Sequence, residues 1–450
     1  MRRFLGVLLV SLSLSLSVAW AQALPSARPE EVGLSADRLG RIGKVLQAEI
    51  QAKKFPGAVA VVARKGRIAY FEAFGARDPA SGAPMAKDTI FRVYSMTKPL
   101  ASVAAMILAE EGRIVLTDPV SKYLPAFAKM QVSVPRVDAT GRLTYDTVPA
   151  AREMTVQDLL RHTSGLAYGE ITANAPVKEA YAKAGVFQAD FPYESRGVTP
   201  AEEVERLAKA PLAHNPGEVW EYSMSVDVLG RVVEAASGAR LSEFLDARLF
   251  KPLKMADAAF SLPKDKMGRL AQPFPTDPAT GNPNRVFDVG SPPKNDAGGV
   301  GAVATASDYL RFAQMMLNGG QLDGARILSR TTVALMTSDQ LGKIKDTGLT
   351  PGELLLGTRG YTFGLGFAVR QDDGVAGTPG RAGEFMWAGA AGTYFWVDPK
   401  EQLVGILMTQ APGPSRVYYR KLFKQLVYAA ISDEVAPAMS ASAETNRSGG

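Results

Sequence analysis

The sequence predicts an α+β fold, in which an antiparallel sheet is flanked by helices and carries an inserted, mainly helical domain. Runs with strand character occur near both ends of the chain and follow one another with short connections. Short connections favour antiparallel pairing, and a sheet buries its apolar faces against helices. Between these runs the sequence changes to short helical segments separated by loops. We therefore expect an α/β sandwich domain formed by residues 22–116 and 291–432, with a helical insertion over residues 117–290.

The two ends of the chain predict segments outside this fold. Residues 1–21 combine a basic start, an apolar stretch with serines and small residues at a cleavage site, which is the order found in secretory signal peptides. The alternative is an uncleaved membrane anchor, but the stretch is shorter than the roughly 20 apolar residues of a spanning helix. We expect an exported protein, periplasmic or secreted, without a transmembrane anchor in its mature form. Residues 433–450 predict a disordered tail.

Composition excludes several classes of function. The chain contains no cysteine, which excludes disulfides, thiol catalysis and cysteine-based metal sites. Its formal charge of +6 is spread without a block of basic residues, so nucleic acid is not an expected partner. The two histidines, His162 and His214, lack metal-ligand spacing. We therefore predict no metal and no cofactor.

The N-terminal part predicts a helix, a hairpin and a second helix. Apolar residues recur at helical spacing over 39–50, and Ser35 is placed to cap that helix. Two β-prone runs, 58–63 and 67–71, surround a short turn that contains glycine. A strongly apolar helix then runs from residue 95 to about residue 111.

The remaining elements alternate in type along the chain. Short helices are predicted at 156–161, 200–209, 226–236 and 241–249. The stretch 272–294 is crowded with Pro, Asn, Asp and Gly, which indicates a surface loop or the rim of a pocket. Strand character returns at 361–369, 393–397 and 402–409, before an amphipathic helix over 416–431.

A Ser-x-x-Lys pattern marks the start of the second helix. Ser95 and Lys98 lie one turn apart on one helical face, so the lysine amine can approach the serine oxygen. The same pattern recurs at 261–264 and 291–294, but those copies contain proline and open no apolar helix. A serine hydroxyl needs a base to become a nucleophile. The alternative for Ser95 is a capping serine followed by a surface lysine.

Several separated segments together resemble the β-lactamase-related serine hydrolases, which include class C β-lactamases, penicillin-binding carboxypeptidases and family VIII carboxylesterases. The segments are Tyr94-Ser95-Met96-Thr97-Lys98, His162-Thr163-Ser164-Gly165-Leu166, Pro216-Gly217, Trp220-Glu221-Tyr222-Ser223 and Gly298-Gly299. They occur in the family's order, and the similarity covers the chain roughly from residue 30 to residue 432. The resemblance implies a β-lactamase/transpeptidase-like fold.

The resemblance also implies roles for individual residues. Ser95 would be the acylated nucleophile, Lys98 its proton-transfer partner and Tyr222 the second member of the base pair. Which of Lys98 and Tyr222 is the formal base stays open. The alternative for Tyr222 is a half-buried aromatic residue with a hydrogen-bonded hydroxyl.

The family's Lys-Thr-Gly segment is represented here by Trp387-Ala388-Gly389. By analogy, the N–H groups of Ser95 and Ala390 would form the oxyanion hole, and Gly389 would line the substrate site. The alternative is a glycine-rich strand with one core tryptophan. Trp387 and Met224 replace a lysine and an asparagine that hold polar groups of penicillin-like substrates. As substrate-binding residues they would suit an uncharged, partly apolar substrate.

The pattern is therefore closest to family VIII carboxylesterases, and a short-chain or uncharged ester is the expected substrate. Weak β-lactam hydrolysis remains compatible with it. The alternatives are a β-lactamase or D-Ala-D-Ala carboxypeptidase on the same fold and, in another class, a non-catalytic binding or sensor protein. A Ser-His-Asp enzyme is disfavoured because no Gly-x-Ser-x-Gly segment is present, and both His162 and His214 lie in turns or loops typical of structural residues.

Overall fold

A computed structural model describes residues 24–186 and 196–432 of the chain. The predicted signal peptide, 1–21, and the predicted tail, 433–450, lie outside the described residues. Within the described residues, no helix is both long enough and apolar enough to cross a membrane.

The described chain alternates between helices and strands. The helices are α1 (Ala36–Gln51), α2 (Thr97–Glu110), α3 (Val156–Leu160), α4 (Ala175–Lys183), α5 (Pro200–Ala208), α6 (Ser225–Ser237), α7 (Leu241–Leu245), α8 (Ala306–Leu317), α9 (Arg330–Met336), α10 (Pro351–Leu356) and α11 (Arg416–Tyr428). The strands are β1 (Gly57–Arg64), β2 (Arg67–Asp78), β3 (Ala83–Pro84), β4 (Ile90–Arg92), β5 (Gln131–Val137), β6 (Leu143–Pro149), β7 (Val219–Trp220), β8 (Val303–Thr305), β9 (Gln321–Leu322), β10 (Ala325–Arg326), β11 (Lys345–Asp346), β12 (Tyr361–Phe363), β13 (Ala368–Arg370), β14 (Phe385–Ala388), β15 (Tyr394–Asp398) and β16 (Leu403–Thr409).

The main sheet combines both ends of the chain, as predicted. Its eight strands lie in the order β12-β13-β14-β15-β16-β1-β2-β3 and pair antiparallel. The inner strand β1 is buried along its whole length, and its Val61 pairs with Ile406 on one side and Phe71 on the other. The hairpin turn into β2 uses Lys65 and Gly66, both at positive φ. The predicted α+β architecture is therefore confirmed.

Helices cover both faces of this sheet. Neighbouring residues of a strand point to opposite faces. On β15, the Phe395 ring lies 6.4 Å from Phe312 of α8, whereas the Trp396 ring lies 5.5 Å from Phe423 of α11. Helices α8 and α11 therefore lie on opposite sides of the sheet.

Two regions differ from the prediction. The single strand expected at 361–369 is two strands, β12 and β13, because the connecting residues include Gly366 at φ 93°. The region 117–290 contains the predicted short helices but also the hairpin of β5 and β6, which sequence patterns did not indicate. Several residues of this hairpin have exposed side chains, and Val137 and Leu143, on either side of its turn, are 71% and 54% exposed. The division into domains stays a prediction.

Candidate active site

Ser95 lies on a tight turn between β4 and α2. The turn is a 3-10 segment, Tyr94–Met96, and the α-helix proper begins at Thr97 rather than at Ser95. Tyr94 has φ 47°, a left-handed conformation that non-glycine residues rarely adopt and that is often found at functional sites. The Thr97 hydroxyl donates to the Tyr94 carbonyl at 2.6 Å and fixes the turn. The strained turn presents the Ser95 side chain at a cavity wall.

The Ser95 hydroxyl meets the two predicted partners. Tyr222, from the loop between β7 and α6, has its hydroxyl 2.7 Å from Ser95 Oγ. Lys98 Nζ lies 3.4 Å from the same oxygen. All three side chains are largely buried, with Lys98 only 1% exposed. The structure thus brings together the three residues that the sequence singled out.

Lys98 is surrounded by neutral acceptors. Its ammonium group donates to the Tyr168 hydroxyl at 3.0 Å and to the Gly299 carbonyl at 2.9 Å. It also lies 4.7 Å from the centre of the Tyr222 ring and 5.3 Å from that of Tyr168, distances at which a ring face attracts a cation. No ion pair of the described residues includes Lys98.

A buried carboxylate stands behind the lysine. Asp227 on α6 accepts from the Gly299 N–H at 2.9 Å, and the Tyr168 hydroxyl lies 3.5 Å from its other oxygen. A Cβ added to Gly299 would lie 2.3 Å from that carboxylate, so only glycine fits there. Burial raises the pKa of Asp227 to about 6, against the opposing effect of the Lys98 charge. Asp227 therefore fixes Gly299 through its N–H, and the Gly299 carbonyl accepts a hydrogen bond from Lys98.

Sequence reasoning missed Tyr168 and Asp227. A signal for Asp227 was available, because it stands among Val226, Val228 and Leu229 on a helix whose N-terminal half is wholly buried. A carboxylate in such a position needs a partner in the core. Tyr168 follows the His162–Leu166 segment, but no spacing rule connects it to Lys98.

The segment after β14 is tightly constrained beside the nucleophile. Gly389 donates to the Thr393 carbonyl at 2.8 Å, and a Cβ on it would lie 2.2 Å from Thr393 Oγ1 and 2.3 Å from the Val93 carbonyl. The hydrogen bonds of the described residues give the Ala390 N–H no acceptor. Gly389, Ala390 and Ser95 all line one cavity. A free N–H at this wall is what an oxyanion donor requires.

The cavity measures about 390 Å³ and is mostly apolar. Its apolar lining includes Tyr94, Ile171, Phe287, Val300, Leu354 and Leu355. Its charged lining is formed by Glu170, Arg285, Arg416 and Arg420. Arg285 and Phe287 belong to the irregular stretch 272–294, so the predicted pocket rim is confirmed there.

Trp387 and Met224 do not line this cavity. Both side chains are fully buried and lie outside its described lining. The Trp387 ring packs 5.5 Å from Tyr222 and 5.3 Å from Phe363, on the core side of β14. A residue on a strand points to one face only, and for Trp387 that face is the interior. The expectation of direct substrate contact by these two residues therefore has no support in this geometry.

Neither histidine contacts Ser95. His162 Nδ1 shares a hydrogen bond with Ser223 Oγ at 3.1 Å. Burial, together with the Lys98 charge, lowers the pKa of His162 well below its usual value. His214 Nε2 lies 2.8 Å from the Glu221 carboxylate. Among the residues in 24–186 and 196–432, no group of three or more His, Asp and Glu side chains is arranged to hold a metal ion.

Comparison with known proteins assigns the chain to a family. The Beta-lactamase family matches residues 42–429. The chain belongs to this family. It is 32% identical to "Esterase EstB" of Burkholderia gladioli over 408 residues, covering 85% of this chain and 93% of EstB. It is 28% identical to "Lovastatin esterase" of Penicillium rubens over 390 residues, covering 82% and 92% of the two chains.

Solved structures agree on the fold. Unliganded selenomethionyl LovD, the "Simvastatin Synthase" of Aspergillus terreus, superposes with a TM-score of 0.72 at 23% identity and covers 88% of this chain and 99% of its own. This likeness identifies the β-lactamase/transpeptidase-like fold that the sequence motifs implied.

Proposed function

We propose that the protein is a serine hydrolase that cleaves carboxylic esters through an acyl-enzyme on Ser95. The observation that carries the proposal is the Ser95 hydroxyl at a cavity wall, 2.7 Å from the Tyr222 hydroxyl and 3.4 Å from Lys98 Nζ. The kinship with "Esterase EstB" supports this choice of reaction within the family.

In the first half of the reaction, Ser95 Oγ attacks the ester carbonyl while its proton passes to the Lys98 and Tyr222 pair. The base is the member of the pair that is unprotonated before the attack: a Tyr222 phenolate becomes a phenol when it takes the proton, and a neutral Lys98 amine becomes an ammonium group. The carbonyl oxygen becomes an oxyanion, which the N–H groups of Ser95 and Ala390 would receive. Collapse of the tetrahedral species breaks the C–O bond, and the pair returns the proton to the leaving alcohol.

In the second half, water takes the place of the alcohol. The same pair removes a proton from the water as it attacks the acyl carbon, and then returns that proton to Ser95 Oγ as the carboxylic acid leaves. His162 takes no part as a base because it lies apart from Ser95, hydrogen-bonded to Ser223.

The cavity favours an uncharged, partly apolar ester. Ile171, Phe287 and Leu354 supply apolar contact surface on its wall. A volume of about 390 Å³ accommodates a short acyl chain and a small alcohol portion. This preference rests on those side chains rather than on Trp387 and Met224.

Replacement of the nucleophile tests the proposal. Ser95→Ala should abolish turnover of p-nitrophenyl butyrate, whereas Ser102→Ala, which removes a buried hydroxyl from the adjoining helix α2, should retain it. Mass spectrometry of the quenched reaction should find the acyl group on Ser95. Turnover by Ser95→Ala at the wild-type rate would refute the assignment.

A second candidate function is β-lactam or D-Ala-D-Ala peptide hydrolysis. The observation that favours it is Arg416 at the cavity wall, whose hydrogen bonds to other described residues go only to the Pro412 and Gly413 carbonyls, at 2.7 and 3.0 Å. A guanidinium group so placed can receive a substrate carboxylate. Parallel assays with nitrocefin, a D-Ala-D-Ala peptide and fluorescent penicillin would distinguish the candidates, since a penicillin-binding enzyme should retain the label and prefer the peptide or lactam.

A further inference from the structure

Arg420 carries a positive charge into the core directly beside the cavity. It lies on α11 and is 2% exposed. Its Nη1 donates to the Leu355 carbonyl at 3.0 Å, and its Nη2 donates to the Gly389 carbonyl at 2.5 Å. No ion pair within residues 24–186 and 196–432 includes Arg420. The charge is therefore directed at two backbone carbonyls rather than at a carboxylate.

One of those carbonyls shares a peptide unit with the Ala390 N–H. A trans peptide is planar, and its C=O and N–H groups point in opposite directions. The described chain contains no cis peptide bond. The Gly389 oxygen accepts from Arg420 and, at 3.1 Å, from the Gly392 N–H, so the Ala390 N–H points away from Arg420, and it has no acceptor among the described residues.

We propose that Arg420 is a positioning residue that orients and polarises the Gly389–Ala390 peptide, so that the Ala390 N–H is set in advance to receive the oxyanion formed at Ser95. This inference rests on the proposed function. A cation bound to a peptide oxygen draws electron density through the amide and makes its N–H a stronger donor. Donors fixed before the reaction stabilise the transition state without reorganisation.

Both sides of this contact are held rigidly. On the peptide side, Gly389 has no room for a side chain against Thr393 and Val93. On the helix side, Lys424, one turn after Arg420, forms a fully buried ion pair with Glu384. The guanidinium and the peptide therefore keep a fixed relation during the reaction.

The placement is costly for the fold. Burial and the nearby Arg416 charge lower the pKa of Arg420, which means that the interior opposes its positive charge. A buried cation without a carboxylate partner is unfavourable unless its hydrogen bonds compensate. A role in catalysis explains why such a charge is placed against the peptide next to the nucleophile.

The test compares three variants on α11. Arg420→Met removes the charge and both hydrogen bonds at similar side-chain volume, and Arg420→Lys keeps the charge but not the two-point geometry. Lys421→Met, the matched control, removes a cation from the neighbouring position outside the described cavity lining. For each variant, kcat and KM are measured with p-nitrophenyl butyrate, together with the inhibition constant of a trifluoromethyl ketone that mimics the tetrahedral intermediate.

With Arg420→Met, we expect kcat to fall about 100-fold, the magnitude typical for loss of one oxyanion donor, while KM changes less than about threefold. Affinity for the ketone should fall by a similar factor. Arg420→Lys should recover part of both losses, and Lys421→Met should match the wild type. An unchanged kcat, or a rise in KM without loss of ketone affinity, would overturn the inference.

Infrared spectroscopy of the acyl-enzyme gives an independent measurement on folded protein. An ester carbonyl polarised by the oxyanion donors absorbs at lower frequency, so its band should move to higher frequency in Arg420→Met and, by a smaller shift, in Arg420→Lys. Should Arg420→Met fail to fold, a wild-type band and wild-type kcat in Arg420→Lys would refute the role. Absence of any acyl-enzyme band in the wild type would instead refute the proposed function itself.

Discussion

Two fully buried lysines of this protein, each lying over two aromatic rings, have opposite surroundings. Lys98 contacts a serine, a tyrosine and a backbone carbonyl, all of them neutral. Lys424 forms an ion pair with Glu384, whose carboxylate also accepts from the Tyr361 hydroxyl at 2.9 Å and the Tyr428 hydroxyl at 3.0 Å.

The difference separates a residue suited to chemistry from one suited to structure. Burial lowers the pKa of Lys424 while the contacting Glu384 carboxylate favours its charged form, and removing either partner leaves an isolated buried charge. An ammonium group among neutral hydroxyls can exchange a proton with them, because no fixed counter-charge in contact prevents it. Burial alone therefore does not mark a catalytic lysine; the charge of its contacting partners does.

Replacing each lysine by methionine should give opposite phenotypes, and the larger effect on rate belongs to the active site. Lys98→Met should lower kcat by about 10²- to 10⁴-fold, as expected for loss of a proton-transfer group. Its melting temperature should change little, because no carboxylate in contact loses its partner. Thermal unfolding followed by circular dichroism and ester assays check both statements. A Lys98→Met variant with wild-type kcat would contradict a catalytic role for Lys98.

Lys424→Met should instead reduce stability, by about 3–5 kcal/mol, because Glu384 is left buried without its cation. The free energy of unfolding in urea measures this loss. The double variant with Glu384→Gln is the control, since removing both charges should restore much of the stability. A single variant as stable as the wild type would mean that the ion pair is not structural.

Asp227→Asn removes the more distant counter-charge of Lys98 and so tests how much that charge contributes to activity. Because the pKa of Asp227 is raised to about 6, its carboxylate is negative above pH 6 and takes up a proton as the pH falls towards 4. We expect the wild-type kcat/KM to fall over that range, and the variant to show about 10-fold lower kcat/KM at neutral pH without that fall.

The groups facing this cluster support the assignment of the pH effect to Asp227. His162 has its pKa lowered well below its usual value, so it does not gain charge near pH 6. Glu170, which lines the cavity, is a second carboxyl group whose pKa is raised by burial, against the opposing effect of the Lys98 charge. Glu170→Gln therefore serves as the control, and a fall near pH 6 that persists in Asp227→Asn but disappears in Glu170→Gln would reassign it.

Tyr168→Phe should have the smallest effect. It removes one of the three acceptors of Lys98 but leaves the ring over the ammonium group. Loss of a single hydrogen bond of about 1 kcal/mol corresponds to a decrease in kcat of about fivefold. Steady-state kinetics checks the expectation, with Tyr123→Phe, outside the cavity lining, as the control. A loss as large as that of Lys98→Met would give Tyr168 a direct part in proton transfer.

Local patterns in the sequence predicted the fold and the start of the site. Helical periodicity placed α1 and α2, the strand runs placed β1, β2, β15 and β16, and the Ser95–Lys98 spacing lies within one helical turn. Each of these features is a relation between neighbours in the chain. Tyr222 needed the family resemblance, because 127 residues separate it from Ser95.

Relations between distant residues could not be predicted. Arg420 reaches Gly389 over 31 positions, and Lys98 reaches Gly299 over 201. Such contacts depend on how strands and helices pack, which periodicity does not encode. Trp387 shows the same limit, since its place in a motif suggested a substrate contact, whereas the pleat of β14 turns its side chain into the core.

The stretch 272–294 contributes Arg285 and Phe287 to the cavity, yet it lies outside every helix and strand of the described chain. The residues around Ser95, by contrast, are fixed by the sheet, α2 and α6. Substitutions of Arg285 can therefore alter substrate preference while the residues around Ser95 stay in place, whereas the Phe287 ring packs 4.8 Å from that of Tyr94, so its replacement would also disturb the turn that carries Ser95. Directed evolution of substrate preference should therefore begin at Arg285.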